Sequence, residues 1–195
     1  MDILTGLTLA APAGLNAYIP LLVLGLAGRF NVIELTGPYT FLEQWWMLGL
    51  MAVLLAIEIV ADKVPAVDTV NDAIQTVVRP VAGGLLAVSA AGVVKAPAVV
   101  LFVAGVLLAG SVHAAKASAR PAINAVSGGA GAPVVSAIED VVSFVMSVLA
   151  ILVPILAAIT IGVLVYLLWR VTRRLMAAAR ARKGAAPPTP PAAPS

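Results

Sequence analysis

The sequence predicts an all-α membrane protein, a bundle of about six transmembrane helices, and three observations predict it. The first is composition: 62% of the 195 residues are hydrophobic and 11% charged, with a mean hydropathy of +1.07. A soluble domain is closer to half apolar and a quarter charged, and a chain this short keeps too much surface exposed to hide the surplus. The second is that apolar windows of about 20 residues, the length a helix needs to cross the hydrocarbon, recur along the chain. The third is the segregation of Lys and Arg. Arg170, Arg173, Arg174, Arg180, Arg182 and Lys183 all fall in the last 26 residues, directly after an apolar run, where a basic cluster sets topology rather than binding nucleic acid.

Six windows follow in order. Ile3 to Gly28 is the first, and Pro12, Gly14, Asn16 and Pro20 predict that it is kinked or broken. Asp2 precedes it with no Lys or Arg, so the positive region of a cleavable signal is missing and the segment is expected to stay in the membrane. Trp45 to Val64 is the second and opens on a Trp45–Trp46 pair suited to the interface. Val70 to Val93 is the third, interrupted by Arg79–Pro80 and Gly83–Gly84. Pro97 to about Ala119 is the fourth. Pro133 to Ala150 and Val153 to Trp169 are the fifth and sixth, divided near Pro154. The third and fifth also fit re-entrant segments. With both termini cytoplasmic, nine Lys and Arg lie inside (Lys63, Lys116, Arg120 and the six of the tail) against Arg29 and Lys95 outside. That bias predicts a multi-pass protein of the inner (plasma) membrane.

Residues 1–183 therefore read as one polytopic domain and 184–195 as a disordered, Pro/Ala-rich cytoplasmic tail. Ala56-Ile57-Glu58 recurs as Ala137-Ile138-Glu139, and Ala11 to Asn16 shares its small-residue spacing with Ala115 to Arg120. Two halves, 1–93 and 97–172, with three helices each, would face opposite ways as a 3+3 inverted repeat. Chance matches in an Ala-rich chain are the competing explanation.

The chain has no cysteine and one histidine, His113. Disulfides, thiol nucleophiles and multi-His metal sites are excluded, no cofactor motif is present, and no catalytic residue is assigned. The informative residues are polar ones placed in apolar windows, because a charge at mid-bilayer costs about 2.5–3.5 kcal/mol and usually faces a bundle interior or wet cavity. Glu58 and Asp62 lie four apart on one helix face. Asp68, Asp72, Gln75 and Arg79 form a stripe running into Pro80. His113, Lys116 and Arg120 form another, with Ser111, Ser118 and Asn124 nearby, and their cations suit an anionic headgroup or solute. Glu139 and Asp140, among Ser136, Ser143 and Ser147, fall near the start of the fifth window, where a helix dipole favours acids. Each cluster has a plainer explanation as boundary anchoring or structural pairing.

The strings GLNAYIPLLVLGLAGRF, EIVADKVPAVDTVNDAIQTVVRPVAGGLLA, HAAKASARPAIN and AIEDV resemble a family of small bacterial integral membrane proteins known as domain of unknown function 4126. The resemblance runs from Leu4 to Trp169, and its most specific parts are ADKVP, RPVAG and His-Ala-x-Lys-Ala. It implies that the polar clusters belong together and implies no activity.

Three functions remain open. In a transporter or permease for a small anionic or zwitterionic solute, Arg79, His113, Lys116 and Arg120 would bind substrate near the cytoplasmic side. Glu58, Asp62, Asp72, Glu139 and Asp140 would carry protons or ions. The basic stub and Pro-rich tail suit a non-catalytic scaffold or lipid sensor, with the bilayer, lipid headgroups or a second copy of the chain as partners. An enzyme acting on lipid phosphates would use Glu58, Asp62, Asp68 and Asp72 to hold Mg²⁺. Glu58-x-x-x-Asp62 is similar to the acidic motif of undecaprenyl-pyrophosphate phosphatases, but their Gly-x-Ser-Arg-Ser element is absent.

Overall fold

A computed structural model describes residues 3–35, 37–62, 65–90, 96–127 and 131–154, with 156, 159–163, 165–167, 169–170 and 173–174 beyond. All its regular elements are helical: α1 (Ile3–Ala13), α2 (Tyr18–Arg29), a 3-10 segment (Gly37–Glu43), α3 (Trp45–Ala61), α4 (Pro65–Ser89), α5 (Ala98–Ser127) and α6 (Gly131–Leu152). The described positions between 154 and 174 are helical as well. Ala98–Pro121 of α5 and Pro133–Leu152 of α6 are each long and apolar enough to cross a membrane, and the 3-10 segment with α3, bent by 63°, makes a third candidate.

The first window is indeed broken. α1 ends at Ala13 and α2 begins at Tyr18, and neither half, at 1.5 Å per residue, is long enough to cross the hydrocarbon alone. Asn16 restarts the helix: its Oδ1 accepts the backbone N–H groups of Tyr18 (3.0 Å) and Ile19 (3.1 Å), which would otherwise be orphaned at a helix start. α2 then stops on a Schellman motif. Asn31 sits at φ 55°, Val32 N–H returns to Ala27 O (2.8 Å) and Asn31 N–H to Gly28 O (2.9 Å), the pairing that satisfies the last carbonyls.

α1 is the hub, packed against α2, α4, α5 and α6, and its Leu9, Ala10 and Ala13 have no exposed surface. α4 and α5 make the most extensive contact of any pair, through small residues. A Cβ on Gly83 would press on the Ala109 methyl and reach 2.8 Å from Gly105 O, and one on Gly105 would meet the Ala87 methyl at 2.7 Å. Small residues four apart let helix backbones approach this closely, and in lipid such packing replaces the hydrophobic drive.

The outward faces are apolar, and the buried faces mix apolar residues with polar and charged ones, unlike those of a soluble bundle. On α4, Val67, Val70, Ile74, Val77 and Val81 are exposed at helical spacing while Gln75 and Arg79 are buried. α5 buries Ala109, Val112, His113, Lys116 and Arg120, and α6 buries Ser136, Ser143, Met146, Ser147 and Ala150, with Val134, Ile138, Val141 and Phe144 outside. A solvent without hydrogen-bonding capacity favours that arrangement, and together with two to three helices, among the described residues, long and apolar enough to cross a bilayer it marks a membrane protein.

Helix bounds differ from the sequence windows where prolines allow continuation. α4 starts at Pro65, since proline is preorganised for the first helical turn and needs no N–H there. α5 runs through Pro121 to Ser127, past the expected end near Ala119. α6 begins at Gly131, so Glu139 and Asp140 lie more than two turns inside it and beyond reach of its dipole end. Lys63, Lys95, the side chains of Asp68 and Asn124, and the tail 184–195 lie outside the described residues.

Candidate functional site

The sequence stripes meet at one end of the bundle. The C-terminal part of α3, residues 71–79 of α4, residues 113–120 of α5 and residues 136–143 of α6 each bring polar side chains toward the break between α1 and α2. Two linked networks result.

The deeper one is built on Arg79, whose side chain is fully buried. Its Nη2 donates to Glu58 Oε1 at 2.8 Å, and its Nη1 contacts His113 Nδ1 at 3.0 Å. A guanidinium has no acceptor, so Nδ1 must accept and the ring proton sits on Nε2. That Nε2–H then faces Thr76 Oγ1 at 3.2 Å, and Thr76 donates to Asp72 O at 2.8 Å. The contact thus fixes a neutral His113 tautomer and a direction for the chain Arg79, His113, Thr76, Asp72. Gln75, also buried, lies beside the Tyr18 phenol.

The second network is centred on Asp62, one residue past α3. Its Oδ2 accepts from Ser136 (2.7 Å) and its Oδ1 from Asn71 (2.9 Å). Arg120 approaches it at 3.5 Å and Lys116 at 3.9 Å. Each of these cations has a further carboxylate. Arg120 reaches Asp72 at 3.1 Å and Glu139 at 3.9 Å, and Lys116 pairs with Glu139 at 2.8 Å. Several carboxylates within reach of one cation let partners exchange without leaving a charge bare.

Both networks are tied to the helix break. Lys116 Nζ donates to Leu15 O at 3.1 Å, Ser143 donates to Pro12 O at 3.1 Å, and Asn16 Nδ2 donates to Asp140 Oδ1 at 2.9 Å. Carbonyls at an interrupted helix need partners when water is absent: α5 supplies one to Leu15 O, and α6 adds Ser143 to Pro12 O, which also accepts the Leu15 and Asn16 N–H groups at 3.0 and 3.1 Å. Unwound backbone flanked by helix ends and charges inside a bundle is also how discontinuous helices build ion and solute sites.

All nine sequence-selected residues lie in these networks: Arg79, His113, Lys116, Arg120, Glu58, Asp62, Asp72, Glu139 and Asp140. Asp62 is 4% exposed, which removes boundary snorkelling as its explanation. The acidic residues expected to hold Mg²⁺ are instead turned to cations, Glu58 to Arg79 and Asp72 to Arg120. Among the described residues no group of three or more acids and histidines is placed to hold a metal ion. Asn16, Asn71 and Thr76 were not expected in the site; Asn16 had a signal, an amide just after Pro12 and Gly14 in an apolar run.

Beside Glu139 opens a cavity of about 280 Å³ between α1, α5 and α6, closed on one side by Ile161 and Val165. Its walls are apolar, and Glu139 is the charged residue among them. Within the two networks, five buried polar atoms among the described residues have no hydrogen bond: Glu58 Oε2, Asp72 Oδ1, Gln75 Oε1, Arg79 Nε and Glu139 Oε2. For Glu139 Oε2 the Lys116 ammonium is close but off the hydrogen-bonding direction.

Neither the curated proteins nor the solved structures contain a match to this chain. The family model for the domain of unknown function DUF4126 matches residues 3–174, which spans every helix that contributes to the charged centre, and the chain belongs to that family.

Proposed function

We propose that the chain is a small permease whose charged centre, at the broken first span, carries positive load with its solute. The observation that supports this most is the charge balance. Among the described residues, five carboxylates (Glu58, Asp62, Asp72, Glu139, Asp140) meet three Lys and Arg cations (Arg79, Lys116, Arg120) and a histidine held neutral. Glu58 and Asp62 are buried and the other three partly so, and carboxylates in excess in such surroundings are stabilised by protons or cations. The centre therefore has capacity for positive charge.

A purely anionic solute would have to displace a carboxylate from Arg79, Lys116 or Arg120. A zwitterion needs no such displacement, because its ammonium can take the carboxylate that its own acid group frees. Of the solutes the sequence suggested, the zwitterionic class fits the geometry better. The reading takes six spans with both termini cytoplasmic in the plasma membrane. It also takes the two halves as an inverted repeat, supported by the echoed acids Glu58 and Glu139, each 2.8 Å from a cation. A scaffold or lipid sensor has no need of buried charges that share partners.

The test is charge movement. Proteoliposomes on a solid-supported membrane, challenged with jumps in zwitterionic, cationic and anionic solutes, should give transient currents for the first two classes. Glu58→Gln and Glu139→Gln should abolish them while the protein still inserts. A folded protein that gives no current with any class would overturn the permease reading.

A further inference from the structure

The cavity beside Glu139 has a shape and a polarity that the charge network does not use. Its walls include Pro12, Leu15, Val112, Val142 and Met146, and Glu139 is the charged residue among those that line it. That side chain keeps 15% exposure, whereas Lys116 behind it keeps 3%. A molecule in the cavity therefore meets an acceptor, not a cation. Lys116 need not be stranded if Glu139 changes partner. It is already hydrogen-bonded to Leu15 O and lies 3.9 Å from Asp62. A shift of about 1 Å would bring it to the 2.7–2.9 Å of a charge-assisted hydrogen bond there.

We propose that this cavity binds an amphiphilic amine, its apolar body between α1, α5 and α6 and its ammonium on the Glu139 carboxylate. The proposal deepens the permease reading by naming the substrate class, and it rests on that reading for the idea that the ligand moves. Size sets an upper bound. At roughly 30 Å³ per water-sized group, about 280 Å³ admits an apolar body of about nine or ten carbons with its polar end group beside Glu139, a volume just below the usual range of drug-sized pockets. The walls select an aryl or alkyl body, and the excess of carboxylates selects positive charge. The cavity touches the helix break at Pro12 and Leu15, so a bound body also presses on the segment whose carbonyls α5 and α6 hold.

Calorimetric titration of the full-length purified protein with 4-phenylbutylamine, 4-phenylbutanol and 4-phenylbutyrate tests this, since the three share a body and differ in end group. The amine should bind saturably and at least about tenfold more tightly than the alcohol, as hydrogen bonds to charged groups outweigh neutral ones. The butyrate should bind weakest. Glu139→Gln should erase the preference for amine over alcohol, and Val142→Trp, which fills the cavity, should weaken both at least about tenfold. Equal affinity for amine and alcohol in the wild type, tighter binding of the butyrate, or undiminished binding by Val142→Trp would overturn the proposal. The ligand comparison on the wild type stands even if a variant fails to fold. Solute-driven current without amine binding would overturn this site alone. Amine binding in a protein that passes no current with any solute would support the site and overturn the permease.

Discussion

Replacing Glu58 by leucine isolates the strongest single element of the network. At 2.8 Å from Arg79, with an effective dielectric of about 20, two unit charges attract by roughly 6 kcal/mol. Part of that only offsets the desolvation of two side chains that are 0% and 1% exposed. What remains visible on deletion is the penalty for an unpaired guanidinium, about 3–5 kcal/mol for a buried pair. The only other acceptor contacting Arg79 through its described hydrogen bonds is His113 Nδ1, which is neutral and cannot replace the carboxylate. Reversible unfolding in mixed micelles, by titration of a denaturing detergent, measures the loss. Glu58→Leu should lose about 3–5 kcal/mol, and Glu58→Leu with Arg79→Met should recover at least about 2 kcal/mol of it, because an apolar pair leaves no buried charge. Additive losses, or a single variant within about 1 kcal/mol of wild type, would show that Arg79 is solvated in the folded state and would refute the reasoning.

The close α4–α5 contact should be intolerant of side chains: Gly83→Leu should destabilise by at least about 1–3 kcal/mol from overpacking, while Gly49→Leu, with nothing within 4 Å of its Cβ position, should leave the melting temperature unchanged. Asn16→Ala removes the acceptor for two backbone N–H groups and the donor to Asp140, so a loss of about 1–3 kcal/mol is expected on the same titration. Ser136→Ala leaves Asp62 short of its 2.7 Å hydrogen bond and should cost about 1.5–3 kcal/mol, the range for bonds to charged groups. For topology, reporter fusions after Gly28 and after Lys183 should report opposite sides of the membrane; the same side for both would end the six-span reading.

The membrane class and the positions of the polar stripes were legible in the sequence, because both follow from local pattern. Helical spacing alone puts His113, Lys116 and Arg120 on one face and Asp72, Gln75 and Arg79 on another. Spacing cannot say which stripe meets which. Asp62 with Ser136 spans 74 positions, Lys116 with Leu15 spans 101, and Asn16 with Asp140 spans 124. Those pairings come from tertiary packing, which Gly83 and Gly105 set by letting α4 and α5 close. The break in the first window was legible from Pro12 and Gly14, but its purpose was not, since Leu15 O takes its donor from Lys116 of α5 and Pro12 O takes one from Ser143 of α6 besides its local backbone bonds. Asp140 shows the reverse case. Its expected role at a helix start fails because α6 begins at Gly131, upstream of the apolar window that marked the segment.

Everything proposed for this chain depends on the broken first span lying against the acidic face of α6, and one measurement reads that directly. The sequence contains no cysteine, so Asn16→Cys with Asp140→Cys supplies the only two thiols. Asn16 Nδ2 and Asp140 Oδ1 are 2.9 Å apart, so thiols at the two positions face each other, and oxidation traps them when thermal motion brings the sulfurs to bonding distance. Oxidation in native membranes should cross-link this pair efficiently, read by protease cleavage between the helices and gel mobility. Asn16→Cys with Val141→Cys, one residue round α6 on its exposed face, should not cross-link. Equal cross-linking of both pairs, or of neither, would contradict a charged centre assembled at the break.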